Sequence, residues 1–121
     1  VKSIIPVITE TQLKTMYKPT DLILSAVHTI KDEYTKMFKE LKKYKITNNT
    51  TLFKNGQIVY EKPIKGVNHK LQHSFTIHEI QGETVEPPNR LFINVNRLFS
   101  DRSLYTAISR ARKISQIYLL E

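Results

Sequence analysis

A chain of 121 residues has room for one domain with a modest core, and its 40% apolar content favours a globular over a disordered protein. The absence of cysteine excludes disulfides and thiolate metal sites, and without a signal peptide or a membrane-length apolar run we expect an intracellular, non-secreted protein with no membrane partner. Nineteen Lys and Arg against eleven Asp and Glu give a formal charge of +8, which favours a polyanionic partner.

The chain opens with a predicted strand and a short helix. Residues 3–8 are apolar but interrupted by Pro6, which predicts an edge strand or an extended lead-in. Thr9 and Gln12 stand at the spacing of a capping box, so a helix should follow and run through about Tyr17.

The next two elements are predicted to be a core strand and a longer helix. Residues 21–27 form an apolar run of the length expected for a strand buried on both faces. Thr29 can cap a helix that runs through about Lys43, with Asp32 at its third position. The apolar residues of this helix recur at helical spacing and should face the core, namely Ile30, Tyr34, Met37, Phe38 and Leu41.

Basic residues are unevenly distributed along the chain. Five lysines of the predicted second helix lie mostly away from its apolar stripe, namely Lys31, Lys36, Lys39, Lys42 and Lys43. They could form a nucleic-acid face, although a solvated helix face is the interpretation we favour. The arginines all fall in the last third, at Arg90, Arg97, Arg102, Arg110 and Arg112. Because arginine binds phosphate through a planar fork, the last third is the expected phosphate-reading region.

Residues at about 46–68 differ in character from the rest and are predicted to form a small β-hairpin insertion. The dipeptide Asn55-Gly56 separates two β-rich runs, 52–54 and 57–60. Asn-Gly between such runs is the strongest short-range hairpin signal.

The last third continues the alternation of strand and helix. A strand is predicted at 90–95, and a helix capped by Ser100 or Asp101 follows, with arginines on its polar edge. One face of this helix should pack inward, the face formed by Leu104, Ala107, Ile108 and Ala111. Residues 114–120 should close the chain as a strand. Such alternation predicts an α/β fold with a mainly parallel sheet.

Residues 76–82 read T-I-H-E-I-Q-G, and residues 105–111 read Y-T-A-I-S-R-A. These segments resemble motifs V and VI of superfamily 1 helicases, the UvrD- and RecD-like nucleic-acid motors. In that family motif V reads T-[IV]-H-x-x-[QK]-G and motif VI reads Y-x-A-[IL]-[ST]-R-A. The resemblance covers roughly residues 72–121, and the earlier residues fit the family in outline.

The resemblance implies a RecA-like fold of the P-loop NTPase type, in which helices flank a mainly parallel sheet. Residues 1–121 would form the second, C-terminal RecA-like domain of a helicase. In this family, ATP and Mg²⁺ are held mainly by the preceding RecA-like domain of the same parent chain. The present sequence contains neither the phosphate-binding pattern G-x-x-x-x-G-K-[ST] nor an acidic pair after a strand, so we expect this chain alone to be inactive as an ATPase.

The resemblance also implies a nucleotide site. Arg110 aligns with the motif VI arginine, which implies a catalytic contact with the γ-phosphate of ATP; a surface arginine paired with an acidic neighbour is the alternative. Gln81 and Gly82 match motif V positions that approach ATP, where glycine permits close backbone approach. Thr84 stands where several relatives place a glutamate that contacts the ribose, and Glu83 could be that glutamate displaced by one position.

Thr76 and His78 match positions that contact single-stranded nucleic acid in related enzymes, with a structural role as the alternative for His78. Arg112 is interpreted as a surface or nucleic-acid charge. The remaining histidines lack metal-ligand spacing, so we predict no metal site and interpret them as structural or solvent-facing: His28, His69 and His73.

We therefore expect the C-terminal motor domain of an ATP-dependent nucleic-acid helicase. DNA is the expected substrate, because the histidine in T-I-H is typical of DNA-type relatives. The alternative is a non-catalytic module that binds nucleic acid or recruits a partner. Because the chain begins with Val1, we expect it to be part of a longer protein.

Overall fold

The computed structural model describes residues 5–25, 28–80, 83–95 and 100–120. Its strands are β1 (Val7–Ile8), β2 (Leu22–Leu24), β3 (Tyr44–Ile46), β4 (Ile58–Val59), β5 (His69–Leu71), β6 (Ser74–Phe75), β7 (Leu91–Asn94) and β8 (Ile117–Leu120). Its helices are α1 (Glu10–Met16), α2 (His28–Met37) and α3 (Asp101–Ile108), with 3₁₀ turns at His78–Ile80 and Ile114–Gln116. Among these residues no helix is both long and apolar enough to cross a bilayer.

Five parallel strands form the main sheet, in the order β1-β8-β7-β2-β6. One core cluster joins the sheet to α3, and a second joins its other face to α1 and α2. Ile23 and Leu24 of β2 are fully buried in opposite clusters, because successive side chains of a strand point to opposite faces. The predicted α/β fold and the doubly buried core strand are confirmed. Ala26 and Val27, the end of the predicted strand, lie outside the described residues.

The first strand and helix match the prediction. β1 lies at the edge of the sheet, where Leu119 N donates to Pro6 O at 2.9 Å. Gln12 N donates to Thr9 Oγ1 at 3.2 Å, and Thr9 N donates to Gln12 Oε1 at 2.8 Å, which completes the capping box. The helix ends at Met16, and residues 3 and 4 of the predicted strand lie outside the described part.

The second helix differs from the prediction at both ends. It begins at His28, so Thr29 lies within it rather than at its N-cap position, and it ends at Met37 rather than at about Lys43. A turn follows and places the Phe38 ring against that of Tyr17, with ring centroids 4.4 Å apart. Tertiary packing thus overrides the helical pattern after Met37.

Two of the five lysines assigned to a solvated helix face are buried. Lys31 is 6% exposed and donates to Glu79 Oε1 at 2.9 Å, while Lys43 is 3% exposed and donates to the main-chain O of Asp21 at 2.6 Å. The solvated-face interpretation is therefore wrong for Lys31 and Lys43. Lys36, Lys39 and Lys42 are exposed as predicted, but only Lys36 lies on the helix.

A second, antiparallel sheet spans residues 44–71, with strand order β4-β3-β5. Asn55 and Gly56 form the predicted turn, and Gly56 has φ +93°, a conformation that glycine adopts without steric cost. The predicted partner strand is wrong, because β4 pairs with β3 and not with residues 52–54. Ile46 of β3 is fully buried, so its burial favours the observed pairing.

The last helix begins as predicted and ends early. Ser100 is its N-cap residue, and its Oγ accepts a hydrogen bond from Ser103 N at 3.1 Å. The helix ends at Ile108, so Arg110 and Arg112 follow the helix rather than lying on its polar edge.

The inward face of α3 is confirmed by Leu104 and Ala107, which are buried against the sheet. The final strand begins at Ile117, later than predicted, because Ile114–Gln116 forms a 3₁₀ turn.

Candidate functional site

The segment that follows α3 is hydrogen-bonded to the segment that follows the first 3₁₀ turn. Val85 N donates to Arg110 O at 2.7 Å, and Val85 and Ala111 form a parallel β-bridge. The buried Gln116 side chain supports this junction, since its Nε2 donates to the carbonyl oxygens of Val85 (3.0 Å) and Asn89 (2.8 Å). The bridge therefore fixes the backbone of Arg110 beside residues 83–85.

The guanidinium of Arg110 has weak partners. Its Nη1 donates to Glu83 O at 3.4 Å and its Nη2 to Ser109 Oγ at 3.3 Å, both long for hydrogen bonds. Its Nε is buried, and none of the described residues accepts a hydrogen bond from it. Within the described ranges no carboxylate lies at ion-pair distance from Arg110. The side chain thus keeps donor capacity for an anion.

Arg112 has the acidic neighbour that we considered for Arg110. Its Nε donates to Glu86 Oε2 at 2.6 Å, and both side chains are more than half exposed. An exposed pair of this kind contributes little to stability. Arg112 is therefore a suitable control for Arg110.

The structure brings part of the predicted nucleotide site together. Glu83 and Thr84 are exposed and lie directly before Val85, which bonds to Arg110. Gln81 and Gly82, the other predicted nucleotide residues, lie outside the described residues.

Glu79 is a functional candidate that sequence reasoning missed. Its carboxylate accepts hydrogen bonds from Lys31 Nζ (2.9 Å), Lys45 Nζ (3.0 Å) and Gln72 Nε2 (2.9 Å). It also accepts from both N and Oγ1 of Thr76, each at 3.2 Å. These donors come from α2, β3 and the two flanks of β6, so Glu79 connects the small sheet to the main one. No local sequence pattern around Glu79 predicts that these hydrogen bonds converge on it.

The environment of Glu79 keeps it ionised. Burial by itself would raise the pKa of this carboxyl, but the hydrogen bonds from Lys31, Gln72, Lys45 and Thr76 together outweigh burial. The pKa of Glu79 consequently lies well below its ordinary value of 4.5.

Thr76 and His78, the predicted strand-contacting residues, flank the start of the first 3₁₀ turn. The Thr76 hydroxyl already donates to Glu79, so it can offer a further ligand a lone pair. His78 is exposed. Among the described residues no hydrogen bond joins either side chain to Arg110.

His73 has the structural role expected of it. It is fully buried, and its Nδ1 lies 2.8 Å from Tyr17 Oη and its Nε2 2.9 Å from Leu41 O. A neutral ring that donates from Nε2 and accepts at Nδ1 satisfies both partners. Burial lowers the pKa of His73 to about 4, and the nearby charge of Lys43 adds to that effect.

A cavity of about 430 Å³ lies between the small sheet and the main sheet. Apolar and charged groups share its walls, among them Leu22, Ile58, Phe75, Lys43, Glu83 and Thr84. Its volume falls in the range of small-molecule sites. Sequence reasoning gave no sign of it, because its walls come from segments far apart in the chain.

Comparison with solved structures identifies the fold. The chain is similar to Pif1 from Bacteroides sp in complex with ADP-AlF4, with 12% sequence identity, a TM-score of 0.59, and coverage of 92% of this chain and 42% of that one. It is also similar to unliganded Pif1 from Bacteroides sp, with 11% identity, a TM-score of 0.54 and coverage of 88% and 53%.

The fold is RecA-like. Pif1 is a superfamily 1 helicase, and this chain spans about half the length of those Pif1 chains or less. No protein-family model matches the sequence, and no curated protein matches it. Among the described residues no group of three or more His, Asp or Glu could hold a metal ion.

Proposed function

We propose that this chain is the C-terminal motor domain of an ATP-dependent nucleic-acid helicase, with DNA as its substrate. In this role it supplies a catalytic arginine and part of the single-strand track to a motor completed by a preceding RecA-like domain. The RecA-like fold and the Pif1 likeness support the proposal. The single observation that carries it is the state of Arg110.

The backbone of Arg110 is held in place, whereas its side chain makes only weak hydrogen bonds with the described residues. The 2.7 Å bond from Val85 holds its main chain, while its guanidinium makes two long contacts and has a buried Nε with no described acceptor. An arginine supplied from a neighbouring domain commonly stabilises the charge that develops on a transferred phosphoryl group. The guanidinium of Arg110 fits this role because its two Nη groups make only long contacts, which phosphate oxygens could replace.

Nucleotide binding follows from the same placement. Thr84 lies beside the segment that contacts Arg110, which supports its assignment to the nucleotide site. The resemblance to motif V assigns Gln81 and Gly82 to the same site. In the bound state ATP supplies the phosphoryl group that is transferred, and Mg²⁺ neutralises phosphate charge from the preceding domain. Our assignment of Mg²⁺ to that domain rests on the missing phosphate-binding pattern in this sequence.

Single-stranded DNA would be contacted at the first 3₁₀ turn. His78 is exposed there, and Glu79 fixes the backbone N–H and the hydroxyl of Thr76. A turn fixed in this way can present both side chains to a strand without a large ordering cost.

Mutation of Arg110 in the intact parent enzyme tests the proposal. Arg110→Ala should lower ATP turnover by roughly 10³-fold, with far less effect on nucleotide binding, because the arginine acts on the charge that develops during transfer. Arg110→Lys should restore little, since an ammonium lacks the planar fork that can hold two phosphate oxygens.

Arg112→Ala is the matched control. It removes an exposed arginine two positions away whose partner is Glu86, and turnover should stay close to that of the parent. Equal, mild losses in Arg110→Ala and Arg112→Ala would show that Arg110 is ordinary surface charge.

A further inference from the structure

The cavity between the two sheets has a buried amine in its wall. Lys43 is 3% exposed and lines this cavity. Among the described residues its Nζ makes one hydrogen bond, to Asp21 O at 2.6 Å. Aromatic rings form other parts of its surroundings, with Nζ 5.8 Å from the ring centroid of Tyr17 and 5.5 Å from that of Phe75. The amine is therefore largely desolvated.

Two of the described lysines are buried, and among the described residues Lys43 differs from the other in having no carboxylate partner. Lys31 is 6% exposed, but its Nζ forms an ion pair with Glu79 at 2.9 Å. The acid whose charge acts on Lys43 is Asp21, and its carboxylate oxygens accept from the backbone N–H groups of Lys18 (2.9 Å) and Arg90 (2.7 Å). Within the described part of the chain Lys43 forms no ion pair, so its charged form is favoured only by the Asp21 carbonyl, the more distant Asp21 charge and the two ring faces.

The charge state of Lys43 agrees with this geometry. Burial lowers its pKa from 10.5 to about 7, and the negative charge of Asp21 opposes that effect only in part. The other charged side chains around the cavity are Lys45, Glu79, Glu83 and Glu86, and His73 lies close enough for the charge of Lys43 to affect its pKa. A substantial fraction of the amine is thus neutral near pH 7, with its lone pair available.

We propose that Lys43 is a nucleophilic amine and that the cavity is a covalent binding site for small aldehydes. The lone pair of Nζ attacks the carbonyl carbon, and a proton moves from nitrogen to the carbonyl oxygen. Loss of water from this carbinolamine leaves an imine between Nζ and the former carbonyl carbon. The site goes beyond the proposed motor function and does not depend on Arg110.

Reductive methylation with formaldehyde and cyanoborohydride tests the proposal on the intact chain. Each imine is reduced to a methylamine, and peptide mass spectrometry gives a rate for each lysine in one sample. Lys43 should be modified at least about tenfold faster than Lys31, because both are buried and the Lys31 amine is engaged in an ion pair with Glu79 at 2.9 Å. Its rate should level off above a pH of about 7.

Two variants make the outcome decisive. Lys43→Met should remove the fast-reacting site and leave the other lysine rates unchanged. Thr84→Trp places a large side chain on an exposed part of the cavity wall, so it should slow Lys43 and leave the exposed Lys62 and Lys65 unaffected. If Lys43→Met fails to fold, the methylation rates of Lys43 and Lys31 in the protein without substitutions still test the proposal. Modification of Lys43 no faster than Lys31, or a rate unchanged by Thr84→Trp, would overturn the proposal.

Discussion

Among the single residues, Glu79 is the one whose substitution we expect to lower stability most. Glu79→Gln should lower the free energy of unfolding by about 3 kcal/mol, because it leaves Lys31 buried without a counter-charge. Urea unfolding at neutral pH measures this loss. Glu83→Gln is the control, since Glu83 is exposed and forms no ion pair among the described residues. A similar, small loss in both variants would contradict the structural role of Glu79.

The pH dependence of unfolding, compared between the parent and Glu79→Gln, gives a second test of the role of Glu79. The pKa of Glu79 is lower in the folded than in the unfolded state, so its stabilisation is fully present above about pH 4.5 and is lost as pH falls towards the folded value. The stability difference between the parent and Glu79→Gln should therefore shrink below about pH 4.5. A difference that stayed constant down to the acid transition would argue against this ion-pair network.

Single elements with strong local signals could be predicted from the sequence. The capping box at Thr9, the cap at Ser100 and the apolar run of β2 each depend on neighbouring residues, and each is present. The partner of β4 could not be predicted in this way. Asn55-Gly56 specifies a turn, but burial of Ile46 decides which strand lies opposite.

The candidate site likewise contains residues with a local sequence signal and residues without one. The motif patterns predicted Arg110 and Thr84 as nucleotide-site residues, and the structure joins the segments that carry them through the Val85 bond. Glu79 and Lys43 were missed because contacts that define their roles come from far away in the sequence: Lys31 and Lys45 bind Glu79, and the Asp21 carbonyl binds Lys43. A lysine on a helical pattern looks solvated until the distant acid or carbonyl that contacts it is known.

Paired substitutions test the observed arrangement of the small sheet. Ile46→Ala should destabilise the chain by about 3 kcal/mol, because it leaves a cavity at a fully buried position of β3. Leu52→Ala should change stability by less than about 0.5 kcal/mol, since Leu52 is 70% exposed. Urea unfolding of the two variants compares them. A larger loss for Leu52→Ala would favour the simple hairpin between 52–54 and 57–60.

At the scale of the whole molecule, the net charge of +8 predicts weak, sequence-tolerant and salt-sensitive binding of single-stranded DNA. Counterion release makes affinity fall as salt rises, whereas stacking on aromatic side chains would be less affected. Fluorescence anisotropy with labelled oligonucleotides at low and moderate salt measures the dependence. Affinity that did not change with salt would show that charge is not the main source of binding.

In the proposed function this chain contributes one half of an ATPase, and a preceding domain holds the phosphate-binding half. ATP turnover in the presence of single-stranded DNA should be compared for the chain alone, the preceding domain alone and the two joined. We expect turnover well above background only when the two are joined. This sequence has no G-x-x-x-x-G-K-[ST] loop, and the preceding domain lacks Arg110. ATP turnover by the purified chain alone, altered by a mutation within it, would contradict the claim.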